Sequence, residues 1–211
     1  MTNPLAIAAV TAVFKDLLEN RLVSDLITTS VGDVSVTALP PARISVGTDE
    51  RAQINLFLYQ VTQNRNADWV SRELRQRGSQ MTGEALSKNL PLALDLDYLL
   101  TVYGAKDFQT EILLGYVMQL LHETSILTQD SIYTALKNAS TVNISSVLSQ
   151  ALATVSISDL AQQIGQIKIS PEFFNMEETS KIWSILQSQY RPSIGYQVSM
   201  VVIDSQSENN I

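Results

Sequence analysis

The chain has 211 residues, 45% of them hydrophobic, and 21 acidic side chains against 14 basic ones give a net charge of −7. This size and composition suit one domain with a packed core. The acidic balance argues against nucleic acid as a partner, because phosphate recognition needs a basic surface. The chain has no Cys and a single His, His122, which excludes disulfides, thiolate metal sites and any site that needs two imidazoles.

The first predicted element is a long helix over residues 4–29. Asn3 can cap it, and Pro4 occupies the first helical position, where its missing N–H costs nothing. No Lys or Arg precedes the apolar residues, as a secretory leader requires, and no apolar run is long enough to span a bilayer. We therefore expect a protein made in the cytoplasm, without a cleaved leader and without membrane insertion.

Three strands are predicted next, over residues 34–39, 52–62 and 92–103. Both faces of the second strand are apolar, which is typical of a central strand covered on both sides. The second and third strands are expected to pair antiparallel, with residues 64–91 as a long excursion between them. This excursion carries five basic side chains against three acidic ones, and it contains Trp69.

The second half of the chain predicts mainly helices. Asn175 and Glu178 have the spacing of a capping box at the start of the last helix. The predicted elements are a helix over 107–123 capped by Asp107, short helices over 131–138, 144–153 and 158–163, a short strand over 167–169, a helix over 175–187 and a strand over 193–204. Residues 1–204 thus form one α+β domain, a mixed or antiparallel sheet flanked by helices, and residues 205–211 form a flexible tail.

Candidate catalytic residues are few. Asp95 and Asp97 share one strand face, about 6–7 Å apart, as a metal site or a glycoside-cleaving pair would require. With no His and no third acid at a useful spacing, two solvated or ion-paired acids on a half-exposed strand are the favoured interpretation. His122 ends a helical stripe, where it interacts with the helix dipole. Because the nucleophile-elbow, dinucleotide and P-loop motifs are absent, we expect no enzyme, no cofactor and no metal.

The excursion between the two long strands is the main candidate for a contact surface, since Arg and Trp are common at binding hot spots. An ordinary solvated loop is the alternative. A small-ligand or carbohydrate-binding module using Trp69 and the nearby arginines is a second possible function, and a hydrolase using Asp95 and Asp97 is a third. The candidate interface residues are Arg65, Trp69, Arg72, Arg75, Arg77, Asp95 and Asp97.

Four blocks of sequence occur in an order that carries a family resemblance. They are INLFLYQVTQNRNADW (54–69), NLPLALDLDYLLTVYG (89–104), EILLGYVMQLLHET (111–124), and the block 170–204 with SKIWSIL and YRPSIGYQVS. Together they resemble the cap or tail-terminator proteins of contractile injection systems, which are phage-tail-like particles. Residues 140–166 and the tail match less well.

The resemblance implies a structural role. Members of such a family form a sixfold ring that stops tube and sheath polymerisation and closes the distal end of the particle. The implied partners are other copies of the chain in a homo-hexamer, the sheath protein and the inner tube protein, within a particle that is released or membrane-anchored. A ring needs two different patches on each subunit, so we expect the Arg-rich excursion to meet the acidic face of Asp95 and Asp97 on a neighbour.

Overall fold

The computed structural model describes residues 5–24, 31–44, 51–64, 92–142 and 146–203. Within these ranges the chain forms six α-helices, six strands and one 3-10 turn, Pro41–Arg43. The helices are α1 Ala6–Ser24, α2 Gln109–Glu123, α3 Gln129–Val142, α4 Val147–Leu152, α5 Ile157–Ile164 and α6 Met176–Leu186. The strands are β1 Ser35–Thr37, β2 Gln53–Gln63, β3 Leu92–Tyr103, β4 Ile126–Leu127, β5 Ile167–Glu172 and β6 Ser193–Ile203.

The strands form one mixed sheet in the order β1-β2-β3-β6-β5-β4. β1 pairs with β2 in parallel, and every other pair is antiparallel. The predicted α+β class is therefore confirmed, and so is the antiparallel pairing of the two long strands around the 64–91 excursion. β3 and β6 lie in the middle of the sheet, so each is hydrogen-bonded to a neighbouring strand along both of its edges.

The first face of the sheet holds the core. Leu96, Tyr98 and Leu100 alternate along β3 toward this face and are fully buried. Helix α1 packs across them: the hydroxyls of Thr11 and Tyr98 lie 2.8 Å apart in a hydrogen bond, and the Phe14 ring meets the Tyr98 ring edge-on at 5.5 Å. Helix α3 packs on α1, and α5 packs on α3. Edge-on aromatic pairs and deep apolar burial make this face the main source of stability.

The second face of the sheet is covered differently, by the connection between β5 and β6. This connection contains α6 and packs several single side chains onto the sheet rather than a whole helix face. The Phe174 ring lies where a side chain on Gly195 would be, and the Arg191 guanidinium lies 5.7 Å from the centre of the Tyr103 ring. The buried side chains here include polar ones, Asn55, Asp97 and Thr101.

Two local predictions are wrong and one strand was missed, each for a physical reason. Asp107 does not cap α2, because the N-cap residue is Phe108 in a left-handed conformation with φ 62°, and no side chain caps the helix there. β4 was not predicted, since two residues carry no periodicity. β2 is covered on both sides only in its first part: Ile54, Asn55 and Leu56 are buried, whereas residues 57–63 are half-buried or exposed. β1 pairs only with Gln53–Asn55, so the rest of β2 forms an edge of the described sheet.

Other predictions are matched closely or lie outside the described ranges. The predicted capping box is present: the Asn175 side chain accepts from the N3 amide, and Glu178 bonds back to the Asn175 amide. Within the predicted first helix, 4–29, the structure shows α1 over Ala6–Ser24. Residues 25–29 lie outside the described residues. The predicted tail 205–211 lies outside the described residues. None of the described helices has the length and apolar character of a bilayer-spanning segment.

Candidate interaction surface

The acidic pair of β3 lies on the second face of the sheet. Asp97 is only 5% exposed, and its Oδ1 accepts a hydrogen bond from Gln197 Nε2 at 3.1 Å. Asp95 is half-buried and accepts from Asn64 Nδ2 at 2.9 Å. The expected half-exposed strand with solvated or ion-paired acids is thus corrected, because the β5–β6 connection covers this face. An interface role for the pair now depends on Asp95.

Burial also changes the acidity of this region. Removal from water raises the pKa of the Asp97 carboxyl, the Gln197 hydrogen bond lowers it, and the nearby Asp95 raises it. Because a buried carboxylate is costly to ionise, β3 holds Asp97 here at the expense of stability. Functional sites commonly carry such costs, so this face of the sheet is a candidate functional surface.

A bulge in β2 brings Tyr59 into the same region. Leu58 pairs with Tyr98 and Gln60 with Asp97, so Tyr59 is the extra residue between them. Its hydroxyl donates to Glu172 Oε2 at 3.2 Å, and its ring meets Phe174 edge-on at 6.2 Å. Burial first, and then the charges of Glu172, Asp97 and Glu178, raise the pKa of the Tyr59 hydroxyl. Acids from β3, β5 and α6 therefore act on one region.

The acidic side chains of α6 follow from how the helix begins. The Asn175 side chain accepts hydrogen bonds from the amides of Glu177 and Glu178 at 2.9 Å each, and Glu178 Oε2 accepts from the Asn175 amide at 2.9 Å. Carboxylates at a helix N-terminus also interact favourably with its dipole. Glu177 pairs with Lys181 at 2.6 Å one turn later, in an exposed contact that contributes little to stability.

Large apolar side chains stand exposed around these acids. Phe173 is 73% exposed, Met176 85%, Ile185 79% and Tyr190 64%. Met176 and Ile185 lie nine residues apart, which is two and a half turns and thus opposite sides of α6, so the helix projects from the sheet. We call Glu172, Phe173, Met176, Glu177, Glu178, Ile185 and Tyr190 the α6 surface.

A groove of about 560 Å³ runs along α6. Its apolar residues are Met176, Trp183 and Tyr190, and the Trp183 and Tyr190 rings meet edge-on at 5.7 Å. Trp183 is buried, and its indole N–H has no hydrogen-bond partner among the described residues. The remaining lining residues are small or polar: Thr179, Ser180, Ser184, Gln187 and Ser188. An apolar groove with polar walls, on a helix whose first turn is acidic, suits a protein partner that brings apolar and basic side chains.

The predicted Arg-rich contact surface lies in a part of the chain that the structure does not describe. Arg65, Trp69, Arg72, Arg75 and Arg77 all lie outside the described residues, so the predicted contact surface is not tested by the structure. Their segment follows directly after Asn64, the residue that bonds Asp95. His122 is exposed in the last turn of α2, as predicted. Within the described ranges no three His, Asp or Glu residues come together as metal ligands would.

Sequence reasoning missed the α6 surface, although one signal was present. Four of the five residues from 182 to 186 are large and apolar, which is more than a single narrow helix stripe holds. They are Ile182, Trp183, Ile185 and Leu186. Because only some of them can face the sheet, at least one must face outward. Trp183 is buried, Ile182 and Leu186 are half-buried, and Ile185 is the exposed one.

Residues 9–210 of the chain match the profile of the Pvc16 N-terminal domain. The chain belongs to this family. The match confirms the recognition made from the four sequence blocks. No curated protein matches the chain significantly.

Two solved structures are similar to this Pvc16 N-terminal domain. One is a sheath/tube terminator, in the extended state, of an extracellular contractile injection system named PVC, with 14% identity and a TM-score of 0.49 over 95% of this chain and 57% of that chain. The other is the tube-terminating cap of the anti-feeding prophage, with 15% identity and a TM-score of 0.40 over 75% of this chain and 45% of that chain. The chain thus spans about half the length of each.

Proposed function

We propose that this chain is a structural terminator of a contractile injection particle. In this role it forms a ring that ends the growth of the inner tube and the sheath at the distal end. The family resemblance implies six subunits in this ring. It acts by shape and contact, not as an enzyme. It is made in the cytoplasm and becomes part of the assembled particle.

The observation that carries this proposal is the family match over residues 9–210, nearly the whole chain. The ordered blocks, from 54–69 to 170–204, agree with it, because they are spread over most of the chain and include the long strands β2, β3 and β6. The α6 surface adds a physical reason: Met176 and Ile185 on the projecting helix, and Phe173 and Tyr190 beside it, are exposed, and clustered exposed apolar side chains are typical of a protein that binds other proteins.

The proposed partners are neighbouring subunits, the last ring of tube subunits and the last ring of sheath subunits. A closed ring needs one patch to meet a different patch on the next subunit. We propose Arg65, Trp69, Arg72, Arg75 and Arg77 as one patch. Asp95 belongs to the other patch, together with the buried Asp97 behind it.

The length of the particles tests this function directly. Tube and sheath subunits are produced with and without this chain, and particle lengths are measured by negative-stain electron microscopy. We expect a narrow length distribution with the chain present, and long polymers of uneven length without it. Equal length distributions in the two samples would contradict a terminator role.

Charge reversal tests the proposed interface within that function. The variant Arg72→Glu with Arg75→Glu should weaken the ring, because it places acidic groups against an acidic neighbour. Lys106→Glu with Lys137→Glu is the matched control, since both lysines are exposed, neither lies on β3, β5 or α6, and the change in net charge is the same. Rings that are equally stable in both variants, measured by sedimentation velocity in the presence of tube, would exclude the Arg-rich segment from the interface.

A further inference from the structure

The large apolar side chains of the α6 surface, Phe173, Met176 and Ile185, are left exposed by the described part of the chain. Acidic side chains flank exposed apolar ones: Glu172 precedes Phe173, and Glu177 follows Met176. The one nearby basic side chain on α6, Lys181, is engaged with Glu177. A partner for this surface therefore needs to bring both apolar and positively charged groups.

One segment of the chain itself has this chemistry. Residues 65–91 contain four arginines and one lysine against three acids, with Trp69 among them, in a protein of net charge −7. Arginine fits the surface in two ways. Its guanidinium can bond a carboxylate such as Glu177 through two N–H groups, and it can stack on an exposed ring such as Tyr190. The two regions are complementary in charge and in apolar character.

We propose that the α6 surface of one subunit binds the Arg-rich segment 65–91 of the next subunit in the ring. This inference rests on the proposed function and names the contact that joins neighbouring subunits. The two regions are different patches on one chain, which is the arrangement that a closed ring requires. The groove beside Met176, Trp183 and Tyr190 receives the apolar part of the segment.

The length of the segment is sufficient for this contact. It joins the ends of β2 and β3, which lie side by side at one end of the sheet. Its 27 residues can extend about 45 Å outward and return, at about 3.3 Å per residue. That reach exceeds the length of β3, about 40 Å for 12 residues at the usual strand rise. The segment can therefore leave its own domain and contact another.

The structure also changes which acids take part. The sequence alone favoured Asp95 and Asp97 as the acidic side of the contact. Asp97 is buried, whereas Glu172 at the end of β5 and Glu177 and Glu178 at the start of α6 are exposed. The acidic partner of the Arg-rich segment thus extends from Asp95 on the strand to these three acids.

Site-specific photo-crosslinking tests the proposal in the assembled particle. A benzophenone amino acid replaces Met176, which is 85% exposed and makes no side-chain hydrogen bond that a substitution would remove. The matched control carries the same group at Val147, which is 87% exposed on α4. Each variant is co-produced with tube and sheath subunits and irradiated, and the crosslinked peptides are identified by mass spectrometry.

The proposal predicts a product of twice the mass of the chain from position 176, with its second peptide within residues 65–91 and with no such product from position 147. Adding Arg72→Glu and Arg75→Glu should remove that product. Three results would overturn the proposal: crosslinks to 65–91 within a single chain, crosslinks from 176 only to tube or sheath subunits, or no more product than at position 147. Caps seen at particle ends in the same samples would show that the terminator function stands even when this contact fails.

Discussion

The two faces of the sheet differ in how they are covered. The first face is covered by α1, whose Phe14 and Thr11 contact Tyr98, and by the helices packed behind it. The second face carries buried polar groups, Asp97 and Asn55 among them, under a connection whose helix projects outward. The first face stabilises the domain. The second face gives up part of that stability, and its covering connection leaves apolar and acidic groups exposed.

The difference can be seen in one buried polar residue. Asn55 is fully buried, and its side chain bonds both the amide and the carbonyl of Leu39, at 2.9 Å each. It extends the pairing of β2 with the residues after β1, so its burial is satisfied and structural. Trp183, by contrast, has no hydrogen-bond partner within the described ranges. Hydrogen-bonded polar side chains such as Asn55 thus hold the sheet together, whereas Trp183, whose indole N–H has no such partner, lines the groove along α6.

The largest expected effect comes from the first face. Phe14→Ala removes a fully buried ring that contacts both Tyr98 and Tyr196, and we expect it to lower the free energy of unfolding by about 3–5 kcal/mol. Ile185→Ala on α6 is the control, and it should change that free energy by less than about 0.5 kcal/mol because its side chain is exposed. Urea unfolding followed by circular dichroism measures both. Similar losses in the two variants would refute the division of roles between the faces.

The next effect tests how closely the β5–β6 connection lies on the second face. A methyl group on Gly195 would come within 2.5 Å of the Phe174 ring and 2.9 Å of the Glu172 carbonyl, so Gly195→Ala should lower stability by about 1–3 kcal/mol. Gly115→Ala is the matched control, since nothing lies within 4 Å of its new methyl and helical alanine is favoured by roughly 1 kcal/mol. The same urea measurement should give opposite signs. Two changes of the same sign would mean that the connection yields easily.

A smaller effect concerns the capping box of α6. Asn175→Ala removes the two hydrogen bonds that the side chain accepts, which costs about 1 kcal/mol. Because α6 projects from the sheet, we expect local opening, so its amides should exchange with deuterium about fivefold faster, the factor that about 1 kcal/mol gives. Amides of β3 should be little changed. Equal acceleration in β3, measured by mass spectrometry, would show that α6 opens only with the whole domain.

The smallest effect is a pH dependence. Burial raises the pKa of Asp97 in the folded chain, so the folded state holds this proton more tightly than the unfolded state. Protonated Asp97 therefore contributes to the stability of the wild type at pH values below the ordinary carboxyl pKa. This contribution is lost as the pH rises through the raised pKa of the folded state. The stability of Asp97→Asn relative to wild type should increase as the pH rises above about 4, the ordinary carboxyl pKa. A stability difference between Asp97→Asn and wild type that does not change with pH would show that ionisation of Asp97 does not destabilise the folded chain.

The sequence predicts the elements that depend on local patterns. The alternation in residues 92–103 and the Asn175–Glu178 spacing each lie within a few residues, and both predictions are confirmed. The burial of Asp97 depends on a connection about eighty residues later in the chain, which no strand pattern contains. The left-handed Phe108 is equally unpredictable, because such a conformation is usual for Gly or Asn and not for Phe.

The position of the protein on the particle tests the terminator role most directly. The chain carries a small tag for gold labelling and is co-produced with tube and sheath subunits, and the particles are imaged by electron microscopy. The account predicts one cluster of gold at one end of each particle and none along its length. Label distributed along the sheath, or absent from purified particles, would contradict it.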